Sequence, residues 1–211
     1  MSGATSVTFN GANASFTVDS PIYITAIVPV DATQGKITVT TPAGSATSPN
    51  FKPLPTITSF SPTSGPPGIT VTISGANFIG TSSVKFNGKD AAFTVDSSVQ
   101  ISAVVPSGVT TGNIKVQTPA GSVTSVDTFT AAPAITGFTP NSARAGTSVD
   151  INGLNFAGTT AVSFNGSDAV FVVKSPTKIT AIVPADSTTG RVAVTAPGGT
   201  TVSANNFTVS H

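Results

Sequence analysis

Apolar residues along this chain fall at every second position, in short runs. Ile69, Val71 and Ile73 alternate with Thr and Ser, and so do Phe93 with Val95, Ile101 with Ala103 and Val105, and Ile114 with Val116. Period two places successive side chains on opposite faces of an extended strand, so each run predicts an apolar row turned inward and a hydroxyl row in water. Thr suits the outer row because it is β-branched and polar. No run of helical length shows a 3.6-residue period, and Leu occurs only at Leu54 and Leu154. The chain is expected to be all-β.

The strands recur as a unit. Val84-Lys85-Phe86-Asn87-Gly88 returns as Val162-Ser163-Phe164-Asn165-Gly166 and stands earlier as Val7-Thr8-Phe9-Asn10-Gly11. Ile101-Ser102-Ala103-Val104-Val105-Pro106 matches Ile179 to Pro184 and Ile24 to Pro29, and Thr118-Pro119-Ala120-Gly121 matches Thr41 to Gly44. The spacing is 77 or 78 residues throughout, so the chain divides into residues 1–54, 55–132 and 133–211. Met1 falls level with Phe78, and the first unit is expected to lack the opening strands that residues 55–77 form in the second. Short strands with turn signals between them predict one small sandwich of two sheets per complete unit. Asn10-Gly11, Asn87-Gly88 and Asn165-Gly166 suit a tight hairpin or bend, because Asn and Gly tolerate positive φ. The junctions Phe51-Lys52-Pro53-Leu54-Pro55 and Phe129-Thr130-Ala131-Ala132-Pro133 hold Pro and few flexible residues, which predicts semi-rigid spacing.

Composition removes most chemistries. Charged residues make up 8% of the chain, net +1, while 35 Thr and 26 Ser supply its polarity. Cys is absent, which removes disulfides and thiolate chemistry, and the one His is His211 at the end, which removes a histidine triad. No apolar stretch approaches the roughly 20 residues of a membrane-spanning helix, so no membrane insertion is expected. Lys and Arg are scattered, without the concentrated footprint a nucleic-acid binder needs.

The motifs resemble a known family. Ile135-Thr136-Gly137-Phe138-Thr139-Pro140, then Gly146, Val149 to Phe156 and Val162 to Gly166, are similar to the IPT/TIG family of immunoglobulin-like domains. Residues Ile57 to Pro62, Gly68, Val71 to Phe78 and Val84 to Gly88 repeat the string. The resemblance implies tandem immunoglobulin-like β-sandwiches, two complete and one N-terminally incomplete. It does not select a function, since such domains occur in bacterial surface proteins, accessory regions of polysaccharide enzymes, plexin-type receptors, Rel-type transcription factors and phage structural proteins.

Candidate sites are few. All eight acids are Asp, set singly, with Asp19 matching Asp96, Asp90 matching Asp168 and Asp31 matching Asp186. Such recurrence at strand ends reads as turn chemistry, and no catalytic residue is assigned. Asn87 with Asp90 and Asn165 with Asp168 offer oxygens to calcium, but one carboxylate per turn falls short of the six to eight ligands calcium takes. No metal and no cofactor is expected. Arg144 alone stands in a loop of the kind that touches DNA in Rel-type factors, and Asn13, Asn165 and Asn206 open Asn-x-Ser/Thr strings. There is no Trp to stack on a sugar, but Tyr23 aligns with Gln100 and Lys178 and is expected to face outward as a possible ligand contact.

The incomplete unit carries the functional expectation. Without opening strands, Phe9, Phe16, Ile24 and Ile27 are expected to be partly uncovered and to form a partner-docking face. Losing a few hundred Å² of burial costs on the order of 5–10 kcal/mol, comparable to a small domain's stability. An open strand edge also invites pairing. The first reading is a non-catalytic virion decoration component, of phage capsid or tail, that docks or self-assembles through residues 1–54. The alternative is part of a bacterial cell-surface adhesin or polysaccharide-binding accessory region, extracellular and in contact with host-surface glycan.

Overall fold

The computed structural model describes residues 3–29 and 31–210, and every regular element among them is a strand. Met1, whose alignment with Phe78 defines the first unit, and the single histidine, His211, lie outside the described residues, as do Ser2 and Val30. Repeat one contains β1 (Ser6–Phe9), β2 (Ala12–Asn13), β3 (Phe16–Ser20), β4 (Tyr23–Ala26), β5 (Gly35–Thr41) and β6 (Gly44–Phe51). Repeat two contains β7 (Thr56–Ser61), β8 (Ser64–Gly65), β9 (Thr70–Ala76), β10 (Ser83–Phe86), β11 (Lys89–Asp90), β12 (Phe93–Ser97), β13 (Gln100–Val104), β14 (Gly112–Thr118) and β15 (Gly121–Ala131). Repeat three follows the same order: β16 (Ala134–Thr139), β17 (Ser142–Ala143), β18 (Ser148–Leu154), β19 (Ala161–Phe164), β20 (Ser167–Asp168), β21 (Phe171–Ser175), β22 (Lys178–Ile182), β23 (Gly190–Ala196) and β24 (Gly199–Val209).

Repeats two and three are sandwiches of two sheets. In repeat two a sheet ordered β12-β13-β9-β7 faces one ordered β11-β10-β14-β15-β8, and repeat three has the same order in its own strands. The alternation sets the core. Val71, Ile73, Ile101 and Ala103 of one sheet and Val84, Phe86, Ile114 and Val116 of the other turn inward and are buried, with Phe86 edge-on to Phe129 at 5.1 Å. Repeat one keeps the sheet β2-β1-β5-β6, but its other sheet is β3 and β4 alone. Among the described residues it has no counterpart of β7, β8 or β9.

Local chemistry explains the turns. Asn10, Asn87 and Asn165 have φ of 48°, 43° and 47°, and the glycine after each has 92°, 84° and 92°. Positive φ at both central residues makes two-residue type I′ hairpins, whose twist matches the strands. Each Asn also reaches across the sandwich end, donating to Thr33, Thr110 and Thr188 Oγ1 at 2.8 Å. Gly35, Gly112 and Gly190 leave room for it, since a Cβ there would lie 2.3 Å from the Asn side chain. In β6, β15 and β24 a register shift is filled by serine. Ser48, Ser125 and Ser203 Oγ accept the amides of Ile37, Ile114 and Val192 at 3.0, 2.9 and 3.0 Å.

The junctions repeat too. Asn77 and Asn155, at φ 61° and 60°, donate to the linker carbonyls of Leu54 and Ala132, each at 3.0 Å. Asn155 also donates to Val109 O of repeat two at 3.0 Å, which ties repeat three to its neighbour.

Candidate functional site

The site that distinguishes the three repeats is the face of repeat one that β7 and β9 cover in repeat two. Identical positions can be compared directly. Ile101 and Ile179 are 0% exposed, as are Ala103 and Ala181, whereas Ile24 and Ala26 of β4 are only half-buried. Val105 and Val183 are each 1% exposed, but Val28 is 45% exposed. On the facing sheet Ile37 and Val39 are half-buried, while Ile114, Val116, Val192 and Val194 are fully buried. The result is an apolar groove of about 410 Å³ over Val7, Phe9, Ile24, Ala26, Ile37 and Val39. A second opening of about 580 Å³ continues from Ile37 and Val39 along β6.

The expected docking residues divide. Phe16 and Ile24 are half-buried against Val7, Phe9 and Ala32, and Ile24 but not Phe16 lines the groove. Phe16 has the same half-burial as Phe93 and Phe171, so Ile24 alone of the two gains exposure from the open face. Phe9 departs from the expectation that it is uncovered. It is 5% exposed, because Phe51 packs edge-on against it at 4.9 Å, and it forms the groove floor. Ile27 faces outward like its counterparts Val104 and Ile182, because alternation turns this position out of the sandwich in every repeat, yet at 70% exposed against their 37% and 38% it is also more open than they are. Val28 is the uncovered core residue that the sequence reading missed; comparing Val28 with Val105 and Val183 was the available signal. Tyr23 is 65% exposed at the groove's edge beside Ile22, which is 84% exposed.

β4 also carries an open edge. It pairs on one side with β3, in the register Phe16↔Ala26, Thr17↔Thr25 and Val18↔Ile24, and among the described residues with no strand on the other. In repeat two that other side pairs with β9, as Ile101↔Ile73, Ser102↔Thr72 and Ala103↔Val71.

The remaining candidates do not assemble into a site. Among the described residues no three of His, Cys, Asp or Glu come together. Asp19 and Asp96 each span the hairpin turn that follows their strand. They lie where the strand register shifts and bridge to the next strand, accepting from Thr25 Oγ1 and Ser102 Oγ, each at 2.7 Å. The hydrogen bonds from Ser102 and then Gln100 hold the Asp96 carboxyl below the usual carboxylate range. Asp90 meets Lys85 across the hairpin at 2.7 Å, and that hydrogen bond lowers its pKa. Asp150 is lowered chiefly by hydrogen bonds from Lys178, at 2.7 Å, and Thr180. The oxygens proposed for calcium are thus partnered with Lys85 at Asp90, and Asn87 turns instead to Thr110 and Thr111.

The IPT/TIG domain profile matches residues 55–131 and again 133–209. The chain belongs to the IPT/TIG family. No curated protein matches it. Among solved structures it is similar to a crystal structure with xylogluco-oligosaccharide, at 24% identity and TM-score 0.40, over 97% of this chain and 54% of that one. It is similar to SGBP-B of a xyloglucan utilization locus in Bacteroides uniformis at 23% identity and TM-score 0.36, over 74% and 50%. Plexin A4's extracellular region is also similar, at 23% identity and TM-score 0.36, over 74% and 18%. The chain thus spans about half the length of the first two of these structures.

Proposed function

We propose that this IPT/TIG chain is a non-catalytic spacer and display module that attaches through repeat one and holds repeats two and three away from the attachment point. One observation carries the reading: Ile24, Ala26 and Val28 stand open at positions that are closed in both other repeats. A contiguous apolar groove with an open strand edge marks an interaction surface. The junction bonds of Asn77 and Asn155 fit the spacer role, because they restrain the linkers.

The test compares the full chain with residues 55–211 by light scattering across a dilution series and by binding of an apolar fluorescent dye. The reading expects dye binding or association only in the full chain. A full chain as dye-silent and monomeric as residues 55–211 would overturn it.

A second reading, glycan contact, is favoured by Tyr23, whose exposed ring borders the groove. A ring face stacks on sugar C–H groups, and this reading belongs to an extracellular or cell-surface setting. Affinity electrophoresis in polysaccharide gels should show retardation of the chain that Tyr23→Ala abolishes; equal mobility of both proteins would remove it. The virion setting rests on the docking face alone, which a cell-surface attachment shares.

A further inference from the structure

We infer that repeats two and three form one rigid body, locked at their junction by Gly198 and Asn155. The inference goes beyond the spacer reading, which asks only that the linkers be restrained, and it does not depend on what repeat one contacts. Adjoining domains ordinarily move relative to one another unless their contact is tight. This junction is tight at the level of the backbone. Ala131 and Ala132 are each 2% exposed, and Pro133 is buried with them. Repeat two holds this linker from one side, where the Ala131 amide donates to Thr111 Oγ1 at 3.0 Å and the Ala132 amide to Gly65 O at 2.9 Å.

Repeat three holds it from the other side. Asn155 Nδ2 donates to Ala132 O and to Val109 O, each at 3.0 Å, so one carboxamide spans the linker and repeat two. The turn between β23 and β24 closes on the same peptide. A Cβ on Gly198 would stand 2.2 Å from Ala131 O, 2.4 Å from its carbonyl carbon and 2.6 Å from Ala132 N. These are backbone atoms, which cannot swing aside as the end of a side chain can. The positive φ of this turn falls on Gly199, at 128°, and not on Gly198. The missing side chain of Gly198 therefore answers to the approach of the linker and not to its own conformation. The contact is narrow, since a groove of about 360 Å³ runs beside it between Thr110 of repeat two and Pro176 of repeat three, so single substitutions should release it.

The first junction has the same parts without the lock. Ala120 stands where Gly198 does, and Pro53 where Ala131 does. Pro53 has no amide to donate to Gln34, which replaces Thr111. Asn77 donates to Leu54 O at 3.0 Å, but among the described residues it has no second acceptor in repeat one. The lock thus lies in particular residues of the second junction and not in the sandwich fold that the repeats share. It fixes the distance and the angle at which repeat three is presented relative to repeat two.

The test measures the distance distribution between two spin labels in the full chain. Cysteine is absent, so labels attach only where Cys is introduced. Thr94 and Val172, exposed at matching positions of β12 and β21, take one pair, and Thr94 with Ser122, both in repeat two, gives the rigid reference. The Thr94–Val172 distribution should be single and as narrow as the reference. Gly198→Ala and Asn155→Gly should each broaden it about twofold or more, because released repeats return to ordinary interdomain motion. Gly198→Ala should leave repeat three folded, since repeat two carries Ala120 at that place, and slow hydrogen exchange at Ile179 and Val192 checks this. A distribution in the unsubstituted chain broader than the reference overturns the inference. So does a narrow distribution that Gly198→Ala leaves unchanged with repeat three folded. Should Gly198→Ala unfold repeat three, Asn155→Gly decides alone, and an unchanged width in that variant overturns the lock.

Discussion

Alanine at one repeated position should give different penalties in different repeats. Ile101 and Ile179 are 0% exposed and touch the core on every side, while Ile24 has lost the neighbours that β9 and β18 supply to the others. Ile→Ala removes three carbon groups, worth about 0.8 kcal/mol each when fully buried, and leaves a cavity that adds to the cost. Ile101→Ala and Ile179→Ala should therefore each destabilise their repeat by about 3–4 kcal/mol. At Ile24, which is partly exposed, up to about a third of the transfer term is already forfeited to water, and an open groove leaves no closed cavity, so Ile24→Ala should cost about 1.5–2 kcal/mol. Because the repeats need not unfold together, the measurement is hydrogen exchange in denaturant followed by mass spectrometry of peptides from each repeat. A cost at Ile24 equal to that at Ile101 would mean that β4 is covered in solution, and the docking reading would lose its foundation.

Three further outcomes follow from the same geometry. Ser203→Ala strips the acceptor from the buried amide of Val192 and should cost repeat three about 1–3 kcal/mol by chemical denaturation, with Ser203→Thr restoring part of it. Asn155→Ala removes the donor to Val109 and Ala132 and strains a positive φ, so exchange at residues 109–111 should quicken and repeat three lose about 1–3 kcal/mol; Asn155→Gly should keep the backbone yet still free the junction. Asp90, Asp96 and Asp150 have folded-state pKa values lowered by their partners, so their stabilisation is present at neutral pH and is lost as pH falls through those values. Melting temperature should decline below about pH 4, and Asp150→Asn should flatten the decline in repeat three.

Most of the fold could be read from the sequence because period two and the repeat report the same thing. Alternation assigns Val71, Ile73, Ile101 and Ala103 to one buried row, and recurrence at 77 or 78 residues confirms each row independently. The Asn-Gly dipeptides are legible for a similar reason, since positive φ at two consecutive residues is a backbone demand few other pairs meet. The serine in each long strand was not legible. Its role depends on a register shift that leaves one amide unpaired, and a hydroxyl in a Ser/Thr-rich strand looks like any outward residue.

The open face of repeat one was half legible, and Ile27 against Val28 shows where the reading divides. Both are aliphatic, adjacent and present in a run that recurs in all three repeats, so composition treats them alike. Only the sandwich separates them: Ile27 shares the outward direction of Val104 and Ile182, whereas Val28 shares the inward direction of Val105 and Val183 and is left in water. An uncovered core position is thus defined by a difference between repeats, not by hydrophobicity. Phe9 makes the opposite point, because removing a strand exposes what that strand touched and not what lies beneath it. Its ring rests on Phe51 from its own sheet, so it stays buried as the groove's floor. A partner that enters the groove must therefore meet Ile24, Ala26 and Val28 first. Substitutions at those three positions should weaken attachment more than they weaken repeat one, whereas Phe9→Ala should unfold the repeat before attachment can be measured.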